Sequence, residues 1–498
     1  MARLSALASQ AIVGIYLTEE QVGTYALALG IIGVTGIWRS GGSATFLPSV
    51  KPAEFDTWAR PMLRWSATFQ VTTALLTIAL ALQTQLLPSS LRQQSLEGLP
   101  LVLCVLAVRS FVFPIAMVGR MRLSVDHRFV GLARLDSVNA LARFAITWVA
   151  AAMGGGTVAL ALPYTLQTCI EAAGVLGMGG IRRSDFRPSS VPFKSVAAVL
   201  AWPLVLALLT SVRADISFLV IGLAIPASAL GVFYFAFQLA NQPAMLLASS
   251  LQNVLAPMLA RDRGTKSAER DGMGRVFSGA MLFVPVTTMA AASFFPAAER
   301  LVWGGKWASA TTGLYFLCVG ATYATVAALL LGPLLGLQRF KAAAAFEALR
   351  LFGTIGGAIL GAMLLTPLQN GSAALTPMTV ISATVGFGIT VTSLAQLFWV
   401  ARRFELPRAE TVRNLLYGPS LAGLTAVAAQ SIGTSLVDSA GVGGGRLAAA
   451  IELTAIAVTY LLLITLAIRF TAESTLRDTV LALPPRARQL AERVFQFV

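Results

Sequence analysis

Arg213-Ala-Asp215 places two ionisable side chains inside an otherwise apolar stretch that continues through Ile216 to Ala224 and turns at Pro226. A charge at membrane depth costs on the order of 3 kcal/mol even on lenient insertion scales, so it persists where a cavity, a partner or a substrate uses it. Residues two apart lie about 200° from each other around a helix. The pair therefore cannot close on itself, and at least one member looks to another helix or to a cavity. Asp215 is a candidate ion-coupling site, because a carboxylate at depth changes protonation as its surroundings open. A fixed salt bridge between helices is the competing reading. Glu171 is a second coupling candidate, and Glu452 is a further isolated acid at depth.

Five arginines fall within apolar runs: Arg39, Arg109, Arg143, Arg213 and Arg350. Arginine suits anion capture, because its planar fork grips oxygens in pairs and stays charged. Arg39, Arg109 and Arg213 are the candidates for binding an anionic head group in a cavity. The competing reading makes each a structural partner of a carboxylate or a carbonyl. Arg143 and Arg350 sit nearer the cytoplasmic ends and are expected to snorkel toward the head groups. Glu347 and Arg350, three apart on one helix face, are expected to pair locally. Cys104, Cys169 and Cys318 are scattered through apolar runs and read as inert core residues. Gly304-Gly-Lys-Trp307 lacks the first glycine and the hydroxyl of a nucleotide-binding loop. No catalytic residue, metal or cofactor is expected.

The elements that must carry these residues follow from composition. The chain has 498 residues, 56% hydrophobic and 12% charged, with a mean hydropathy of +0.75. That is the composition of a polytopic membrane protein. Backbone amides in lipid need internal partners, so the spans are helices or a closed barrel. The apolar runs lack the alternation of barrel strands. The expectation is an all-α bundle of about fourteen transmembrane helices, starting near residues 3, 21, 61, 96, 137, 156, 195, 228, 276, 308, 343, 376, 412 and 447. Of 37 Lys and Arg, 28 fall on one set of alternate loops and four on the other. By the positive-inside rule, both termini are cytoplasmic in a multi-pass protein of the bacterial cytoplasmic membrane. The net charge of +15 thus has a topological reading, and no nucleic-acid partner is expected.

Two segments repeat. Leu17–Leu29 enters a helix through Gly23-Thr-Tyr25 and the helix ends near Pro48; Ile225–Phe237 enters through Gly231-Val-Phe-Tyr234 and ends near Pro257. Six predicted helices separate them, so two parallel six-helix halves are inferred, with coincidence in an Ala/Leu/Gly-rich chain as the alternative. The expected organisation is an N-terminal lobe at 1–180, a C-terminal lobe at 195–400, two extra helices at 412–468 and a cytoplasmic tail at 469–498. The tail is basic and apolar on one face, which suits the inner leaflet, with a frayed, solvated tail as the alternative. The first helix is about a dozen residues shorter than its counterpart. That points to a misplaced start or a native half-helix.

Leu17-Thr-Glu-Glu-Gln-Val-Gly-Thr-Tyr-Ala-Leu-Ala-Leu29 resembles the entry segment of the polysaccharide-transport (Wzx-type) oligosaccharide flippases of the multidrug/oligosaccharidyl-lipid/polysaccharide exporter superfamily. Arg213–Gly222, Leu230–Ala240 and Val254–Arg261 resemble the family's seventh and eighth helices, and Glu299–Trp307 its loop before helix ten. The resemblance covers most of the chain through short, degenerate motifs. It implies two six-helix lobes around a cavity, extended by helices thirteen and fourteen. It also implies alternating-access translocation of a polyprenyl-pyrophosphate-linked oligosaccharide, the polysaccharide repeat unit. The implied partners are that lipid-linked cargo, membrane lipid and polysaccharide polymerase machinery, around a monomer. A cation-coupled multidrug antiporter and a lipid II flippase are the alternatives within the superfamily. A membrane polymerase or ligase is the alternative from outside transport, and the short outer loops argue against it.

Overall fold

The computed structural model describes residues 2–36, 42–47, 50, 54–83, 98–187, 191–243, 265–336, 339–369, 376–439 and 445–469. Arg39 and the 470–498 tail lie outside the described residues. Each of the fourteen predicted stretches overlaps a helix among the described residues. These are α1 (Ala2–Tyr16), α2 (Glu19–Thr35), α3 (Phe55–Leu82), α4 (Leu99–Val125), α5 (Phe129–Ala152), α6 (Val158–Gly177) and α7 (Phe193–Gly222). They continue with α8 (227–243), α9 (Lys266–Val302), α10 (Ala310–Gly336), α11 (Phe340–Gln369), α12 (Pro377–Arg403), α13 (Arg408–Ser439) and α14 (Arg446–Arg469). Ten helices are long and apolar enough by themselves to cross a membrane. The all-helical, multi-pass membrane architecture is therefore as expected. All three cysteines are unbridged.

Local chemistry sets the helix starts. Thr18 caps α2 in a reciprocal box with Gln21, and Thr376 caps α12 ahead of Pro377. Gly98, with φ of +82°, precedes α4. Gly154 and Gly156, with φ of +76° and +51°, turn the chain between α5 and α6 in a conformation that glycine adopts without strain. Large apolar side chains such as Leu75, Met153, Phe352 and Leu424 stay exposed, as the lipid-facing surface of a membrane bundle requires. Lipid tails are as apolar as leucine, so burial alone holds such helices together weakly; close packing and interhelical hydrogen bonds do more.

Two compact units divide the chain: Met1–Phe235 with Phe340–Asn370, and Ala236–Arg339 with Gly371–Val498. In the first unit α3 packs on α4, α4 on α6, α1 on α5, and α7 on both α2 and α11. In the second, α9 packs on α10, α10 on α12, and α13 and α14 on each other and on α9. Advancing each of the pairs α3/α4, α4/α6 and α1/α5 by six helices gives α9/α10, α10/α12 and α7/α11, so the pairings recur at the spacing of the sequence repeat.

Glycines set several of these crossings. In the second unit Pro285 sits inside α9 and cannot donate to the Met281 carbonyl. Gly418 of α13 packs onto that carbonyl, where a Cβ would stand 2.0 Å from the oxygen. In the first unit Gly30, Gly33 and Gly42 lie against Leu219, Asp215 and Leu204 along α7. The same seam ends at Gly23 and Gly231. A Cβ on Gly23 would stand 1.7 Å from the Ala227 carbonyl oxygen, and one on Gly231 would stand 1.8 Å from that of Glu19. The two repeat-equivalent glycines thus contact each other reciprocally, as residues beside a two-fold axis do.

Candidate functional site

Arg109 and Arg143 reach one aromatic ring from two helices of the first unit. Arg109, on α4, donates from Nε to Thr168 Oγ1 of α6 at 3.1 Å. Its guanidinium lies 5.8 Å from the centre of the Phe113 ring and 6.0 Å from that of Tyr164. Arg143, on α5, donates to the Tyr164 hydroxyl at 2.6 Å and stands 4.2 Å from the same ring centre. Tyr164 in turn stacks on Tyr25 of α2 at 6.5 Å, and Tyr25 meets Tyr234 of α8 edge-on at 5.8 Å. Apart from Arg109 with Phe113, which share α4, these contacts join different helices, and α6 packs on both α4 and α5.

The hydrogen-bond ledger of this cluster is incomplete. Tyr25 is buried, and among the described residues its hydroxyl has no partner. A buried hydroxyl without a hydrogen bond costs about 1–3 kcal/mol, so such a group calls for a water or another polar molecule to complete the set. Two guanidiniums, a phenol and a threonine hydroxyl in a half-buried setting make a donor-rich, positively charged niche. An anion with several oxygens satisfies it best, because arginine bonds oxygens in pairs.

Other arginines of the same unit are spent on carboxylates. Arg213 donates from Nε to Glu347 Oε2 at 2.7 Å, and Arg350 donates to Glu347 Oε1 at 3.0 Å. Glu347 and Arg350 do pair at i, i+3, but Arg213 joins them across α7 and α11. Asp215 faces the other way, toward α2, with its Cβ 2.7 Å from the position of a Cβ on Gly33. The two-residue spacing thus sends Arg213 and Asp215 to different helices.

Three expectations need correction. Arg143 and Arg350 do not snorkel: Arg143 turns inward to Tyr164, and Arg350 is buried against Glu347. Glu171 is not isolated, since Arg120 donates to it at 2.8 Å while also holding Asp136. Glu452 is not isolated either; in the second unit it pairs with Arg300. In each acid's case the partner sits on a helix far away in sequence, 51 and 152 residues off, where local spacing gives no sign of it. The Glu299–Trp307 loop is structural: Glu299 accepts a hydrogen bond from the Trp307 backbone at 2.8 Å, and both are buried.

A second ionic cluster lies at the arginine-rich end of the same unit. Arg122, at the end of α4 and 1% exposed, donates to both Asp185 oxygens, to Asp56 Oδ1 at 3.0 Å and to the Gly180 carbonyl at 3.0 Å. Arg182 donates to Asp56 at 2.6 Å, and its backbone N–H donates to Asp185 at 2.8 Å. Burial alone would raise the Asp185 carboxyl, but its hydrogen bonds and charge contacts with Arg122 and Arg182 hold it below the usual range. The network ties α3, α4 and the turn after α6 together.

Against known proteins, residues 16–312 match the family described as polysaccharide biosynthesis protein, more than half of the chain. No curated protein matches the sequence. Solved structures share the fold, among them the following two. A lipid II flippase MurJ in an inward closed conformation is 11% identical, with a TM-score of 0.62 over 94% of this chain and 97% of that one. A multidrug resistance MATE family transporter of the MOP superfamily, inward-facing, is 14% identical, with a TM-score of 0.51 over 81% of this chain and 95% of that one. The chain is a multi-pass membrane protein that belongs to the polysaccharide biosynthesis protein family and carries a fold seen in flippase and transporter structures.

Proposed function

We propose that the protein moves a polyprenyl-pyrophosphate-linked oligosaccharide from the cytoplasmic to the outer leaflet of a bacterial inner membrane. The observation that carries this reading is the pair of guanidiniums, Arg109 and Arg143, meeting on Tyr164 beside the unpartnered Tyr25 hydroxyl. A pyrophosphate cannot cross hydrocarbon unaided, because unsatisfied polar groups cost several kcal/mol each. The niche offers it charge and hydrogen bonds, while the polyprenyl tail stays in lipid. Membership of a polysaccharide biosynthesis family supports a sugar-bearing cargo.

Alternating access between lobes at 1–180 and 195–400 belongs to the same proposal. The glycine seam of α2 against α7, closing at Gly23 and Gly231, is the contact that opening between those lobes would part. A cationic niche argues against a cation-coupled drug antiporter, whose cargo such charges would repel.

The test is depletion of the protein, followed by mass spectrometry of polyprenyl-linked intermediates, with sidedness read by an impermeant lectin. The expected result is accumulation of the lipid-linked repeat unit on the inner leaflet. Single, unpolymerised units on the outer leaflet would place the protein with the polymerases. Accumulation of lipid II instead would identify it as a lipid II flippase.

A further inference from the structure

The first unit contains a second polar feature that the head-group niche does not use. An open cavity of about 490 Å³ lies where α2, α4 and α6 begin, at the opposite end of α4 from the Arg122 cluster. Its volume falls in the range of small-molecule sites. Glu20, Gln21 and Thr24 of α2, Leu101 of α4, and Gly156 with Thr157 ahead of α6 line it.

The lining presents both halves of hydrogen-bond chemistry. Glu20 is exposed, and among the described residues its carboxylate has no partner. Gln21 is locked by the capping box: its Oε1 accepts from Thr18 N–H at 3.1 Å, and its own N–H donates to Thr18 Oγ1 at 3.3 Å. That leaves Nε2 as the amide's open donor, and a Cβ on Gly156 would stand 3.3 Å from it. The absence of a side chain at Gly156 therefore keeps the approach to Gln21 clear. Leu101, 57% exposed, adds an apolar surface.

This set discriminates among ligands. A single carboxylate repels anions. One carboxylate is also a poor cage for a metal cation, which takes several oxygen ligands. The lining is too polar for an apolar drug. A polyhydroxylated ring fits, with vicinal hydroxyls donating to a carboxylate, an oxygen accepting from an amide and a C–H face resting on leucine. We propose that this cavity is a saccharide-binding site for one or two uncharged sugar residues.

Its place suggests a use that rests on the flippase reading. Thr24 adjoins Tyr25, and Val158 at the cavity precedes Tyr164 by six residues, about 9 Å along a helix. Along the helix axis, the cavity and the Arg109–Arg143 niche therefore lie within the span of one molecule that carries both sugars and a pyrophosphate.

The test uses the full chain purified in detergent, with cellobiose and chitobiose as probes in saturation-transfer NMR. Wild-type protein is expected to transfer saturation to the sugar ring protons. Leu101→Trp fills the cavity from an exposed position and abolishes the transfer. Glu20→Gln weakens binding about ten-fold, the loss typical of one charge-assisted hydrogen bond. Absence of transfer in the wild type, or transfer in both variants as strong as in the wild type, overturns the site. Binding that the variants abolish supports it even if depletion causes no lipid-linked sugar to accumulate, a result that would count against the flippase reading alone.

Discussion

Arg122 and Arg143 are the same residue type in the same compact unit, and their surroundings give them opposite roles. Arg122 is closed in by two aspartates and a backbone carbonyl. Arg143 is met by a phenol hydroxyl and the face of its ring. A carboxylate cancels an arginine's charge; a phenol satisfies one donor and leaves the charge in place. The first arrangement holds helices together, while the second leaves a cation that an incoming anion can use. The identity of an arginine in a membrane bundle therefore says little until its partners are known.

The largest expected effect breaks the first half of the comparison. Arg122→Ala strands Asp185, which is 1% exposed, as a buried and largely uncompensated charge. Removing one partner of a buried pair costs roughly 3–5 kcal/mol. The yield of monodisperse protein and its thermal midpoint in detergent should both fall sharply. Arg143→Ala should lower the midpoint far less, because it forfeits one hydrogen bond and a ring contact but orphans no buried carboxylate. If the two variants lose stability alike, the distinction between paired and unspent arginines fails.

Transport is the next readout. Arg109→Gln and Arg143→Gln each remove a charge-assisted contact to the proposed pyrophosphate, worth about 1.5–3 kcal/mol. Each should slow appearance of the repeat unit on the outer leaflet by ten-fold or more. Arg143→Lys keeps charge but loses the fork, so it should recover only part of the rate. Full activity in Arg143→Gln would reduce that arginine to a packing residue.

Acid sharpens the same contrast. Asp185 is held below its ordinary value in the folded state, so its contribution to stability is complete above the unfolded carboxyl value of about 4. It is lost as the pH falls through the depressed folded value, where the carboxyl protonates and Arg122 loses its counter-charge. The thermal midpoint of the wild type should therefore drop in that acidic window. Asp185→Asn should start lower and lose less over the same range. Parallel curves for the two proteins would show that other groups control acid unfolding.

Legibility in the sequence followed how local each signal was. The helices were readable because a bilayer imposes length and apolarity on every span. The repeat was readable at Gly23-Thr-Tyr25 and Gly231-Val-Phe-Tyr234, and these same glycines and tyrosines meet in the structure. Arg109 stood out in the sequence as a charge at depth, but its neighbours Thr168 and Tyr164 did not. Arg143 was misread, because distance along the helix says nothing about which neighbour a side chain turns to. Glu171 and Glu452 seemed isolated because their arginines come from other helices. Tyr164 carried no signal of its own; a tyrosine in an apolar helix is usually core, and only the convergence of two guanidiniums separates it.

The smallest expected effect is the most discriminating. Tyr25→Phe removes one oxygen and nothing else from a fully packed ring. In most buried tyrosines that deletion costs stability, because the hydroxyl has a partner. Among the described residues it has none here, so the ligand-free variant should be as stable as the wild type, or more stable by about 1 kcal/mol, the lower end of the cost of an unsatisfied buried group. If the hydroxyl completes its bonding on cargo, the same variant should bind the lipid-linked pyrophosphate several-fold more weakly. Stability and binding would then move in opposite directions from a single atom. A merely structural tyrosine would lower stability and leave binding of a cargo it never touches unchanged. Thermal midpoints measured with and without added lipid-linked cargo separate the two, because only a cargo-contacting hydroxyl makes the ligand-induced stabilisation smaller in the variant.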